Sequence, residues 1–167
     1  MKKMIKISFI IALILNYSCT KENPEENQTS LKLTPENLVG EWRKIGAFKS
    51  TDSSGVDLSN ENLMNSMDDC RKDDIYKYIV SNNSSNIIKW GYGNNICEDE
   101  GQEKNQFIEI GTWTLDERGS LNYNYSDVQE AYRILKLDRE ELLIREKSGI
   151  LENDTIKYYF EKYKRLN

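Results

Sequence analysis

From Gly40 onward the chain is written as short runs of aromatic and β-branched residues, each cut off by Asn, Ser, Gly or Asp. That rhythm constrains the fold more than any other feature, because runs so short and so punctuated suit strands and leave no room for long helices. Strands are expected near Gly40 to Lys49, Asp74 to Val80, Asn86 to Tyr92, Gln106 to Asp116, Ser120 to Tyr125, Glu130 to Asp138, Glu141 to Lys147 and Thr155 to Lys164. Several turns between them are brief and polar: Ser81 to Ser85, Glu117-Arg118-Gly119, and Arg139 with Glu140. Such turns join antiparallel neighbours. Eight consecutive antiparallel strands with one protected face close naturally on themselves, which removes exposed edges. The expected class is therefore all-β: an eight-stranded antiparallel up-and-down β-barrel, its interior either packed with side chains or holding one small ligand. Two short stretches depart from the pattern. Pro35 to Leu38 can form one helical turn after Thr34, and Asp57 to Met67 places Leu63, Met64 and Met67 at helical spacing, predicting a short helix between strands one and two.

Alternation within the runs suggests which side chains face inward. Trp90 shares a face with Ile88 and Tyr92, Tyr123 and Tyr125 with Leu121, Trp113 with Gly111 and Leu115, and Tyr158 and Phe160 with Ile156. The rings of Trp90, Tyr123, Tyr125, Tyr132 and Tyr158 are candidate ligand-binding residues, since an aromatic wall with a few hydroxyls suits a mostly apolar small molecule. The competing reading is that large aromatics simply fill the core.

The first nineteen residues carry a separate message. Lys2, Lys3 and Lys6 frame an apolar run from Ile5 to Leu15 that stops at Asn16-Tyr17-Ser18-Cys19. A positive start, a short apolar core and a small residue before a cut describe a signal peptide, and the core is too short to span a bilayer. The segment resembles the signals of bacterial lipoproteins, in which the cysteine after the cut is acylated and becomes the first mature residue. The usual Leu three residues before that cysteine is replaced by Asn16, as in the looser signals of Bacteroidota lipoproteins. The resemblance implies that residues 1–18 are removed, that Cys19 carries lipid, and that the exported protein is anchored to the outer membrane. Residues 19–34 then read as a flexible polar leash, and 35–167 as the barrel domain. Glu22, Glu25 and Glu26 resemble acidic export signals of some Bacteroidota lipoproteins, but they also suit a plain soluble linker. The periplasmic and cell-surface faces both stay open.

Composition narrows the partners. The formal net charge is −5, and removing residues 1–18, with three lysines and no acids, takes it to −8. That balance argues against nucleic acid. The chain has no histidine, the commonest general base and transition-metal ligand, and no nucleophile motif is present, so no catalytic residue and no cofactor is expected. Acidic clusters at Asp68-Asp69 with Asp73-Asp74, and at Glu98-Asp99-Glu100 with Glu103, lack the ordered spacing of a calcium loop, and no metal ligand is assigned. With Cys19 given to lipid, Cys70 and Cys97 remain as a pair in an exported chain, where disulfides persist.

Leu38-Val39-Gly40-Glu41-Trp42 resembles the Gly-x-Trp opening of lipocalins, and Gly111-Thr112-Trp113 supplies a second such motif. With Cys70, Trp90, Cys97, the run Tyr132 to Leu137 and a closing aromatic strand in order, the chain is similar to the lipocalin-like domain of many Bacteroidota lipoproteins. The resemblance implies a calycin-type barrel whose first-strand Trp42 plugs the closed end, with Arg165 or Lys164 of the last strand packed over it. Trp113 is read in the same structural role, because large aromatics at strand starts usually fill cores, and the resemblance does not imply one shared ligand. The function expected is a membrane-anchored module binding a small, mostly apolar ligand in the barrel. The alternative is an envelope interaction protein with a packed barrel, whose partner is another envelope protein. Asp154-Thr155-Ile156 resembles the short acceptor motif of Bacteroidota O-glycosylation, making Thr155 a candidate glycosylation site.

Overall fold

The computed structural model describes residues 30–58, 62–81, 85–97 and 106–167. The expected signal peptide, Cys19, nearly all of the leash, the centre of the Ser81 to Ser85 turn, and the Glu98-Asp99-Glu100 and Glu103 cluster lie outside the described residues. A helical turn, α1 (Pro35–Leu38), leads into β1 (Gly40–Ser50), followed by β2 (Ile75–Ile79), β3 (Asn86–Gly91), β4 (Phe107–Leu115), β5 (Ser120–Tyr125), β6 (Val128–Leu137), β7 (Glu141–Glu146), β8 (Ile150–Glu152) and β9 (Thr155–Leu166). Each of β1 to β7 pairs antiparallel with its neighbour, β7 pairs with β9, and β9 pairs back onto β1, closing an eight-stranded barrel. Among the described residues no helix is long and apolar enough to cross a membrane.

Closure needs curvature, and bulges supply it. The register slips at Ile45 on β1, at Ile110 on β4 opposite Ile88 and Lys89, and at Leu135 on β6. At each slip an unpaired residue bends its strand and increases the local twist. The tight β4–β5 turn has its own chemistry: the Asp116 carboxylate accepts from the backbone N–H of Arg118 and Ser120 at 2.9 and 2.8 Å. Gly119 completes it at φ +78°, a conformation that a side chain would strain.

The short helix expected between strands one and two is present as a 3-10 turn at Leu63–Ser66, within the Asp57 to Met67 stretch, and a second such turn follows at Asp69–Arg71. Asn62 decides this locally. Its side chain accepts from Met64 N–H, the short-range bonding by which Asn competes with helix, and its backbone bridges to Phe48 of β1. One element, β8, was not expected from the sequence. Its three residues pair only with the start of β9, extending a ribbon beyond the barrel through a turn in which Asn153 and Asp154 take positive φ.

The register also settles which face of β9 points inward. Arg165 lies opposite Trp42, Tyr163 opposite Lys44 and Glu161 opposite Ala47, while Phe160 lies opposite Phe48 and Tyr158 opposite Ser50. The odd-numbered residues therefore face the lumen and the even-numbered ones face out. Phe160 is buried all the same, because the connection after β1 folds back over the outside of the barrel. A Cβ at Gly55 would stand 2.9, 3.3 and 3.3 Å from side-chain atoms of Leu135, Leu143 and Phe160, and Arg145 donates to the Ser53 carbonyl at 2.8 Å. The barrel is thus packed on the outside as well as within along β6, β7 and β9.

Candidate functional site: the barrel lumen

One end of the lumen is solid. Trp42, Leu38, Trp113, Leu121, Leu142 and Ile144 are all fully buried there. Trp42 donates its indole N–H to the Leu38 carbonyl at 2.8 Å, and Arg165 covers the ring at 4.3 Å from its centroid. Arg165 is therefore the covering cation. Lys164 sits one residue along, on the outer face, opposite Arg43 and Glu141. Trp113 donates to the Ile87 carbonyl at 3.0 Å and meets the Tyr78 ring edge-on, 5.5 Å between centroids. Above this layer the hydroxyls of Tyr78 and Tyr123 hydrogen-bond to each other, forming the floor of the remaining space.

Beyond that floor lies a cavity of about 400 Å³, partly open at the end opposite Trp42. Trp90, Tyr123, Tyr125 and Tyr132 line it, so the structure brings together four of the five candidate rings. Tyr123 joins two of the others, with Tyr125 stacked at 5.7 Å and Tyr132 edge-on at 5.4 Å. The fifth, Tyr158, lies on the outer face under the Arg145 guanidinium, 4.9 Å from its ring centroid. Period two explains the misplacement: Arg165 and Tyr158 stand at opposite parities on one strand, so both cannot face inward.

Sequence reasoning missed the charges. Lys44, Arg71, Asp74, Glu130 and Glu161 also line the cavity, so the expected mostly apolar wall is in fact mixed. Lys44 follows Trp42 by two residues and Glu161 precedes Arg165 by four, so alternation from the two plug residues would have found them. The Lys44 ammonium bonds Glu161 Oε1 at 2.5 Å and lies 5.5 and 5.8 Å from the ring centroids of Tyr76 and Tyr163. Burial alone would lower the Lys44 pKa, but the Glu161 charge and the neighbouring groups outweigh it and hold the ammonium above its ordinary range. Glu161 also accepts from the Tyr163 hydroxyl, and Glu130 from the Tyr132 hydroxyl at 3.0 Å. Burial, together with the charges of Glu130 and Glu161, raises Glu146. Burial likewise pushes the hydroxyls of Tyr76, Tyr123, Tyr125 and Tyr132 up, keeping them protonated as donors.

Asp74 is a buried carboxyl of the lumen. It is 8 % exposed, and its Oδ1 has no hydrogen-bond partner among the described residues. Burial pushes its pKa up to about 6, against a hydrogen bond from the Trp90 indole and the charges of Lys44 and Arg71. Its position is fixed from the rim. Cys70 and Cys97 form the expected disulfide, with Cα atoms 5.2 Å apart, joining the β1–β2 and β3–β4 connections. The Asp73 carboxylate ties the same two segments by accepting from Asn94 and Asn95 N–H at 2.7 and 3.3 Å. Arg71 and Asp74 are therefore carried into the cavity on a clamped loop. Thr155 is exposed at the start of β9, in the projecting ribbon.

A closed antiparallel barrel of eight strands, plugged at one end by a tryptophan under an arginine, is compatible with a lipocalin-like fold. No model of a known protein family matches the chain, and no curated protein matches its sequence.

Proposed function

We propose that this chain is a membrane-tethered binding protein whose lumen holds one small ligand with an apolar body and a polar group. The observation that carries this reading is the cavity of about 400 Å³ opposite the Trp42 plug, walled by rings and by charged side chains. That volume lies within the range of small-molecule sites, and concave aromatic walls with a few convergent polar groups are their usual lining. The tether in this reading is Cys19, acylated after removal of residues 1–18, with residues 19–34 as the leash to an outer-membrane leaflet. Two acyl chains on one residue would suffice for stable anchoring. The support for it is the sequence pattern around Cys19 and its likeness to Bacteroidota lipoprotein signals.

A second reading, an envelope interaction protein, draws on the projecting β8–β9 ribbon, where Ile150, Leu151 and Ile156 are 45 %, 68 % and 53 % exposed. In that case the outer surface would act and the lumen would be incidental. Native mass spectrometry of the protein taken from its own membrane, with binding of the neutral probe N-phenyl-1-naphthylamine, separates the two. The lumen reading expects a retained small molecule, and it expects probe binding that Ile110→Trp abolishes by filling the cavity. An empty barrel that ignores the probe would overturn it.

A further inference from the structure

The charges in the lumen are unequal, and the inequality says something about the ligand. Lys44 is already spent: its ammonium sits against two tyrosine rings and bonds Glu161, so this pair cancels. What remains on the cavity wall is Asp74 and Glu130 against Arg71. Glu146 lies opposite Tyr132 across the β6–β7 pair and adds a further carboxylate on that side, where Glu130 and Glu161 already stand. The same wall presents Trp90, Tyr125 and Tyr132. Ring faces attract cations through their quadrupole, and the attraction grows where water is excluded.

We propose that the lumen is selective for a small organic ammonium ion on an aromatic or aliphatic body, with Asp74 and Glu130 as its counter-charges and Trp90, Tyr125 and Tyr132 as its ring wall. This rests on the lumen reading above and adds the chemical class of the ligand. Two observations support it independently. The first is that Lys44 shows how this lumen treats an ammonium, holding it between rings and a carboxylate. The second is Asp74, which is 8 % exposed with an unpartnered Oδ1, an acceptor buried at a cost unless something donates to it. Glu130 also has acceptor capacity left: Tyr132 bonds one of its oxygens, and an ionised carboxylate offers about four lone-pair sites. A carboxylate ligand would face the opposite situation, since Lys44 is committed to Glu161 and the single Arg71 is outnumbered by Asp74 and Glu130, which would repel it.

The experiment uses three probes on the same naphthalene body: 2-(1-naphthyl)ethylammonium, 2-(1-naphthyl)ethanol and 1-naphthylacetate, titrated calorimetrically into the intact protein at pH 7.5. The ammonium should bind about tenfold tighter than the alcohol, and the acetate should bind weakest. Asp74→Asn and Glu130→Gln should each weaken the ammonium by about fivefold and the alcohol by clearly less. Near-UV circular dichroism of both variants verifies that the barrel is intact, and two separate variants keep the test valid if one disturbs the fold. Equal binding of all three probes, a preference for the acetate, or ammonium binding that ignores both substitutions would overturn the inference while leaving the lumen reading standing. Binding of none of the three would sink both.

Discussion

The guanidinium of Arg165 covers the Trp42 ring at 4.3 Å and donates to two carbonyls of the segment that plugs the barrel, Val39 at 3.0 Å and Asn37 at 2.5 Å. One side chain of the last strand thus fastens the first strand and the helical turn before it. Trp42→Ala should cost about 3–5 kcal/mol, the usual loss for a large buried aromatic. Arg165→Lys keeps the charge but not the planar fork, so it should still cost about 1–2 kcal/mol. Urea unfolding of both variants and their double mutant measures this. A coupling indistinguishable from zero would mean that Arg165 acts on the carbonyls alone.

The Cys70–Cys97 bond closes a loop of sequence separation 27. In the chain-entropy treatment that constraint is worth about 3.5 kcal/mol. A Cys70→Ser, Cys97→Ser variant should lose roughly that amount in denaturant melts and keep the far-ultraviolet β signature, because the closing strand pairs lie elsewhere. A variant that failed to form the sheet would show that the rim clamp is needed for folding and not only for stability.

Asp74 should make stability fall as pH rises. Its folded pKa of about 6 lies above the ordinary 3.8, so the native state binds the proton more readily than the unfolded chain. The contribution is full below the unfolded value and is lost as pH rises through the folded one, a change of at most about 3 kcal/mol. Asp116, Asp138 and Glu141, whose pKa values are lowered, act in the opposite sense and lose their contribution as pH falls. The comparison of Asp74→Asn with the parent isolates this contribution: relative to the parent, the variant should gain stability between about pH 4 and pH 7. Parallel curves would show that Asp74 is solvated.

Cys19→Ser tests the tether. Loss of the acyl acceptor should move the protein from the membrane fraction to the soluble fraction and remove the lipid mass from the intact chain. Identical partitioning of variant and parent into detergent phase would exclude a lipid at this position.

The eight barrel strands were legible because each carries its own period-two pattern and ends in turn-forming residues, local properties that need no knowledge of the partner strand. The rings of Tyr123, Tyr125 and Trp90 were legible for the same reason. Tyr158 was not, because the parity of β9 is decided by its pairing with β1, more than a hundred residues away. Phe160 compounds the difficulty, since its burial comes from the Gly55 segment lying outside the barrel, and a strand protected on both faces looks the same whichever way it points. β8 was hidden by brevity, three residues being too few to show a period. The charges of the lumen read as ordinary solvent-facing polar positions until Arg165 fixed the parity. Asp74 belonged to an acidic run in which nothing in the sequence set one carboxylate apart, and its burial comes from the loop that the disulfide and Asp73 clamp.

β9 has a further consequence for how the chain can reach its shape. It pairs with β1, β7 and β8, and follows all three in the chain. The Lys44–Glu161 bond that helps join β1 to β9 spans 117 residues. No earlier strand can substitute for it, so while β9 is still being synthesised the preceding seven form at best a curled sheet with two raw edges. Contacts of such sequence separation form late and slowly. The topology therefore keeps the polypeptide open until almost all of it has been made, a state in which it can still be threaded, and the ring snaps shut only when its final stave arrives.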